Sequence, residues 1–175
     1  NNKNLDTKIK SQARIAITAG SRGISSYAIL LKTIVDFVKK QGAIPFIVPA
    51  MGSHGGGSDL GQKKILANLS ITEESMGCEV ISSMEVVQIG KCENNLPVYV
   101  DKNAYEADGI ILFNRVKPHT SFRGKYESGL VKMLAIGLGK RKGAETIHSL
   151  RFENMADNIL LSAKVSLNKL NIIAG

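Results

Sequence analysis

The stretch from Asn114 to His148 reads NRVKPHTSFRGKYESGLVKMLAIGLGKRKGAETIH. It holds two of the chain's three histidines and eight of its 23 lysines and arginines. An imidazole titrates near neutrality, so it can pass protons in either direction or ligate a metal. Guanidinium and ammonium groups hold anions. Ordinary surface turns are seldom this dense in ionisable groups, which marks the stretch as a candidate site. A second candidate is AMGSHGGGS, residues 50–58, where His54 sits among four glycines. Such a loop before a helix reads either as a flexible turn or as a place where backbone amides approach an anion. No Gly-Lys-Ser/Thr closes it, so it is not a Walker loop. A third is Ala19-Gly20-Ser21-Arg22-Gly23.

The elements around these loops predict their placement. Arg14–Thr18, Ile44–Val48 and Gly109–Phe113 are short apolar runs that read as buried strands. Ile29, Leu30, Ile34, Phe37 and Val38 recur at helical spacing over residues 26–41, with Ser25 or Ser26 as the cap and Gly42 as the stop. A second helix is predicted over 59–69, a short capped turn at 72–74 and a helical turn over 101–106. Glu79–Ser83, Val86–Ile89 and Pro97–Val100 read as short strands of a small β insertion. Residues 151–169 read as an amphipathic helix leading to a last strand near Asn171–Gly175. Residues 1–11 read as a polar arm or edge. Strands alternating with helices imply an α/β fold, a mostly parallel sheet with helices on both faces. Ligands of such sheets sit beyond the carboxyl ends of strands. The loops bearing Arg22, His54 and His119 each follow a predicted strand, so these side chains are expected on one edge of the sheet, facing one cleft.

Composition narrows the function. With 175 residues the chain can build one α/β domain with a real core. No apolar run approaches the roughly 20 residues of a membrane span, and no signal-peptide layout opens the chain. Cys78 and Cys92 lack metal-motif spacing, and two cysteines do not make a disulfide scaffold. A cytoplasmic protein is expected, with no membrane partner. The net charge of +8 invites an anionic partner, but the absence of Trp and an aromatic content of 5% leave few stacking platforms, so nucleic acid is not expected. The chain begins with Asn and closes on an apolar run that would leave a sheet edge exposed. Residues 1–175 are therefore read as a single α/β domain of a longer protein, cut before a C-terminal domain.

The segments TAGSRG, PAMGSHGG, NRVKPHTSFRG and SGLVKMLAIGLGKRKGAETIH, in that order, resemble the N-terminal domain of the lactate racemase-like family. The resemblance implies an isomerase, a racemase or epimerase of 2-hydroxy acids or sugar acids, completed by a C-terminal domain. It implies a nickel-pincer nucleotide bound covalently to a lysine. Hydride leaves the substrate carbon while a base takes the hydroxyl proton, and two enantiomers call for two bases. By the same resemblance His54 and His119 correspond to the two catalytic histidines and Arg22 to the arginine that holds the substrate carboxylate. Lys132 corresponds to the cofactor anchor and His148 to the metal-ligating histidine. These types suit the work: a guanidinium grips a carboxylate with two parallel bonds, and imidazole ligates nickel. Lys132, between Leu130, Val131, Met133 and Leu134, is expected to be partly desolvated, which lowers its pKa. Arg123, Lys125, Lys140 and Arg141 are read as holders of the nucleotide phosphate.

The chain also departs from the family pattern. No acidic residue precedes Ser21-Arg22, and His54 is followed by glycine rather than arginine. The loop between His119 and Lys132 is longer, which leaves Lys125 as a rival anchor. A noncatalytic phosphate- or nucleotide-binding module, or another enzyme on the same fold, remains the alternative.

Overall fold

The fold is taken from a computed structural model, which describes residues 7–117, 126–149 and 154–175. Five strands form one parallel sheet. Strand β1 (Arg14–Ala19) is followed by helix α1 (Tyr27–Lys40) and β2 (Ile44–Pro49). Helices α2 (Asp59–Asn68) and α3 (Glu73–Met76) lead to the short β3 (Glu79–Val80). An antiparallel ribbon, β4 (Val86–Lys91) and β5 (Pro97–Asp101), stands apart as a second sheet. Helix α4 (Lys102–Tyr105) precedes β6 (Gly109–Ile111). Helix α5 (Gly129–Lys132) runs into a π-helical turn, Met133–Gly137. Helices α6 (Lys140–Ser149) and α7 (Met155–Lys169) precede the last strand, β7 (Ile172–Ala174). The strand order is β3-β2-β1-β6-β7.

Alternation along the strands explains why both faces are covered. Ala16, Phe46, Val48 and Ile110 point into a core formed with the π turn, α6, α7 and the ribbon. Ile15, Ile17, Ala19, Ile47 and Ile111 point into a second core under α1, α2 and α3. Strands buried on both faces read as continuous apolar runs, as β1, β2 and β6 do. Helix α1 buries Tyr27, Leu31, Val35 and Val38, one stripe at steps of four, four and three. Each buried Leu or Val contributes about 1.5–3 kcal/mol by area. Among the described residues no helix is long and apolar enough to cross a membrane.

The departures from expectation have local causes. Ser26 adopts a left-handed conformation (φ 56°) and makes no side-chain cap bond, so neither serine caps α1 as proposed. Instead Tyr27 anchors the preceding turn. Strand β3 stops at Val80 because Ser82 leaves the sheet and donates its hydroxyl to the Asp59 carbonyl at 2.8 Å. Near the N-terminus Ile9 is buried, so that segment is not merely a polar arm.

Candidate functional site

In a sheet of this order the chain leaves β1 toward β2 on one side and reaches β6 on the other. The loops beyond β1 and β6 therefore splay apart, and a crevice opens at the carboxyl ends of the strands. A cavity of about 200 Å³ lies there. Its wall includes Ser21 and Arg22 after β1, Met51 and His54 after β2, Arg115 and Lys117 after β6, and Lys132 with the π turn behind them.

Each wall is pinned. After β1, the Gly20 amide donates to the Tyr27 hydroxyl at 2.7 Å. Burial pushes the Tyr27 phenol up to about 12, so it stays a neutral partner. After β2, the chain turns through Gly52 (φ 60°), whose amide donates to the Gly137 carbonyl at 3.1 Å. His54 then opens a short 3-10 turn, Gly55–Gly57. Gly55 and Gly57 serve packing, while a Cβ at Gly56 would meet only open space. A Cβ on Gly61 would sit 1.9 Å from the Gly55 carbonyl oxygen, so the turn and α2 touch backbone to backbone. Ser58 caps α2 by accepting from the Gly61 amide at 3.2 Å. After β6, the Asn114 side chain donates to the Gly129 carbonyl at 3.1 Å. The Lys117 amide donates to the Ser128 hydroxyl at 2.7 Å. These two bonds tie the exit of β6 to the start of α5, and so position Lys132.

Lys132 is the last residue of α5, where the helix widens into the π turn. The Leu138 amide reaches back to the Met133 carbonyl at 2.8 Å, the five-residue step of a π bond. Such turns inside helices cluster at functional sites. Gly137 is required here, since a Cβ would lie 2.6 Å from the Ala50 carbonyl oxygen.

The electrostatics are cationic. Arg22, Arg115, Lys117 and Lys132 line the cavity together with one carboxylate, Glu127. Burial, helped by Lys117, lowers the Lys132 pKa. The His54 ring Nδ1 lies 2.5 Å from the Ser21 hydroxyl. Partial burial lowers the His54 pKa below 6.5, and the charges of Arg22, Lys132 and Lys117 lower it further. Near pH 7 the ring is therefore neutral.

Arg22 and His54, expected to share a cleft with His119, line one cavity, and Lys132 lines it with them. His148 sits on α6 outside that lining, yet Lys132 is near enough that its charge joins burial in lowering the His148 pKa. His119, Arg123 and Lys125 lie outside the described residues. The expectation for Lys140 is corrected. Its side chain is fully buried, donates to the Pro49 carbonyl at 2.6 Å and pairs with Asp101 at 3.1 Å. An ammonium committed in this way has no face left for a phosphate. Arg141 is exposed, packs on Gly57 and pairs with Glu145 at 2.7 Å. Ser21, Arg115, Lys117 and Glu127 were given no role from the sequence. Ser21 directly precedes Arg22, and Arg115 and Lys117 directly follow a strand, so the strand-end rule applied residue by residue would have found three of the four.

Among the described residues no three His, Cys, Asp or Glu side chains stand together as a metal site.

No curated protein matches the chain. Among solved structures it is similar to the lactate racemase apoprotein from Thermoanaerobacterium thermosaccharolyticum. Identity is 18%, the TM-score is 0.68, and the match covers 96% of this chain and 43% of that one. That likeness shows the fold, and the chain spans less than half the length of the relative. The family model of the lactate racemase N-terminal domain matches residues 1–159, so the chain belongs to that family.

Proposed function

We propose that this domain is the N-terminal part of a racemase or epimerase of 2-hydroxy acids or sugar acids. The observation that carries the reading is the meeting of Arg22, His54 and Lys132 in one cationic cavity at the sheet's switch point. Arg22 holds the substrate carboxylate through its planar fork. His54, neutral near pH 7, takes the proton of the substrate hydroxyl and returns it. With Nδ1 engaged by Ser21, Nε2 is the ring atom left for that exchange. His119 is proposed as the second base, for the opposite enantiomer.

The residues present fit a tethered nickel-pincer nucleotide. Lys132 combines access to the cavity with a lowered pKa, the condition for covalent attachment. His148, kept neutral by burial and by Lys132, has a free lone pair for a metal. When bound, the group supplies a hydride acceptor for the hydrogen on the substrate carbon. Lys117 and Arg115 take over from Lys140 as holders of the nucleotide phosphate, beside Arg123. Lys125 stays the rival anchor. Small hydroxy acids and the remainder of the longer protein are the partners this reading requires, and the cytoplasm is its place of work.

The same four cations also favour a plainer anion-binding module. One experiment separates the two. The complete protein is made together with the cofactor-synthesis enzymes, and its intact mass, metal content and modified peptide are measured. An adduct on Lys132 with nickel bound supports the racemase. Absence of any lysine adduct in protein so loaded favours the module, and an adduct on Lys125 moves the anchor.

A further inference from the structure

His54 stands in a loop with Gly52 before it and three glycines after it. Glycine backbone gives such a loop many conformations, so a base placed there needs an external hold. The contact with Ser21 steadies the ring, but the loop itself must also be fixed. The fixing group comes from α2. Gln62 is fully buried, and its Nε2 donates to the Gly52 carbonyl at 2.8 Å and to the His54 carbonyl at 3.2 Å. One amide group thus clamps both ends of the segment that carries the base.

An amide can point either way, and here a neighbour selects the direction. The Gln62 Oε1 lies 3.4 Å from the Lys140 ammonium. A lysine has donors only, so it must face the amide oxygen, which turns the NH2 group toward the two carbonyls. Lys140 is in turn held by the Pro49 carbonyl and by Asp101. Asp101 is fixed by accepting from the Ala104 amide at 2.9 Å.

Lys140 is an expensive residue to place there. Its ammonium is taken wholly out of water, where an apolar side chain of similar volume often serves stability as well. Its backbone is left-handed (φ 54°), a region that favours glycine. Two local costs at one residue point to a task other than stability. Lys140 also lies between Lys132 and His148 in the chain, so it links the segment carrying Lys132 to the loop carrying His54.

We propose that Gln62 and Lys140, backed by Asp101, form a buried strut that positions His54 against the Lys132 segment. They touch no substrate. They are positioning residues, and their role rests on the reading of His54 as a base.

The test uses the complete protein and a readout that needs no turnover. Diethyl pyrocarbonate modification of His54 is followed by peptide mass as a function of pH, which gives the reactivity and apparent pKa of that ring. Among the described residues the charged groups facing it are Arg22, Lys117 and Lys132, with Arg115 and Glu127 also lining the cavity. Gln62→Leu leaves the Lys140–Asp101 pair whole and is the deciding variant. Gln62→Glu keeps the oxygen toward Lys140 but loses the two donors. Both variants should raise His54 reactivity by threefold or more and bring its apparent pKa closer to 6.5. Lys140→Met should do the same if it folds. In the loaded protein Gln62→Leu should lower kcat more than it raises KM. Unchanged His54 reactivity and pKa in a folded Gln62→Leu protein would overturn the strut. If the modification result holds while no hydroxy acid is ever turned over, the strut stands and the functional reading fails.

Discussion

Asp101→Asn is the sharpest perturbation of the frame behind the site. The carboxamide keeps the size of the carboxylate, and its oxygen can still accept from the Ala104 amide. What it removes is the charge facing Lys140, in a pair whose side chains are both 0% exposed. Breaking a buried pair from one side leaves an uncompensated charge and costs about 3–5 kcal/mol. For a chain of this size about 1 kcal/mol moves Tm by 2–4 °C, so a fall of roughly 6–20 °C is expected. The assay is urea and thermal unfolding followed by circular dichroism. Asp101→Asn combined with Lys140→Met should recover most of the loss, because neither charge then remains buried alone. The pH dependence has a definite sign. Burial, opposed by Asp101, holds the folded-state Lys140 pKa below its ordinary 10.5. The unfolded chain then binds the extra proton between the folded value and 10.5, so this group makes stability rise with pH across that window. Asp101→Asn should extend the window to lower pH. A loss below about 1 kcal/mol, or a double variant as unstable as the two single losses added together, would refute the reasoning.

Three further outcomes are expected. Gly137→Ala should destabilise the chain by about 1–3 kcal/mol in urea unfolding, because its methyl group would meet the Ala50 carbonyl oxygen rather than a movable side chain. Ser21→Ala should reduce kcat in the loaded complete protein by up to about tenfold, the worth of one ordinary hydrogen bond, with Ser21→Thr restoring most of it. The folded-state His54 pKa lies below 6.5, so the unfolded chain binds more protons in the window under 6.5, and stability falls as pH is lowered through it. His54→Asn should therefore weaken the loss of stability as pH is lowered below about 6.5, measured by urea unfolding at fixed pH values.

The sheet was legible because its strands are buried on both faces. Runs such as Ile15-Ala16-Ile17 and Phe46-Ile47-Val48 admit few readings besides parallel strands, and Gly42 marks the end of α1 plainly. The cavity wall was legible as far as the strand-end rule reached, which was Arg22 and His54. What stayed hidden depends on tertiary placement. The basic cluster Lys140-Arg141-Lys142 looks like one patch in sequence, yet Lys140 turns inward to Asp101, Arg141 pairs with Glu145, and Lys142 lies over the Tyr99 ring at 4.5 Å. No local rule tells an inward lysine from its outward neighbours, since the partner is remote in the chain. Gln62 was hidden for the same reason. It is one polar residue on a polar helix, and only its contacts with the Gly52 and His54 carbonyls and with Lys140 give it a task. The π turn left no mark either, because Met133–Gly137 has the composition of any buried helix.

The central claim is that the cavity bounded by Arg22, His54 and Lys132 isomerises hydroxy acids. It is tested most directly by giving the complete, cofactor-loaded protein single enantiomers or epimers of 2-hydroxy acids and sugar acids and following the opposite form by chiral chromatography. The account predicts that at least one such acid is interconverted. It also predicts that His54→Ala and Lys132→Ala each lose that conversion while remaining folded. Full conversion by a His54→Ala protein would contradict it.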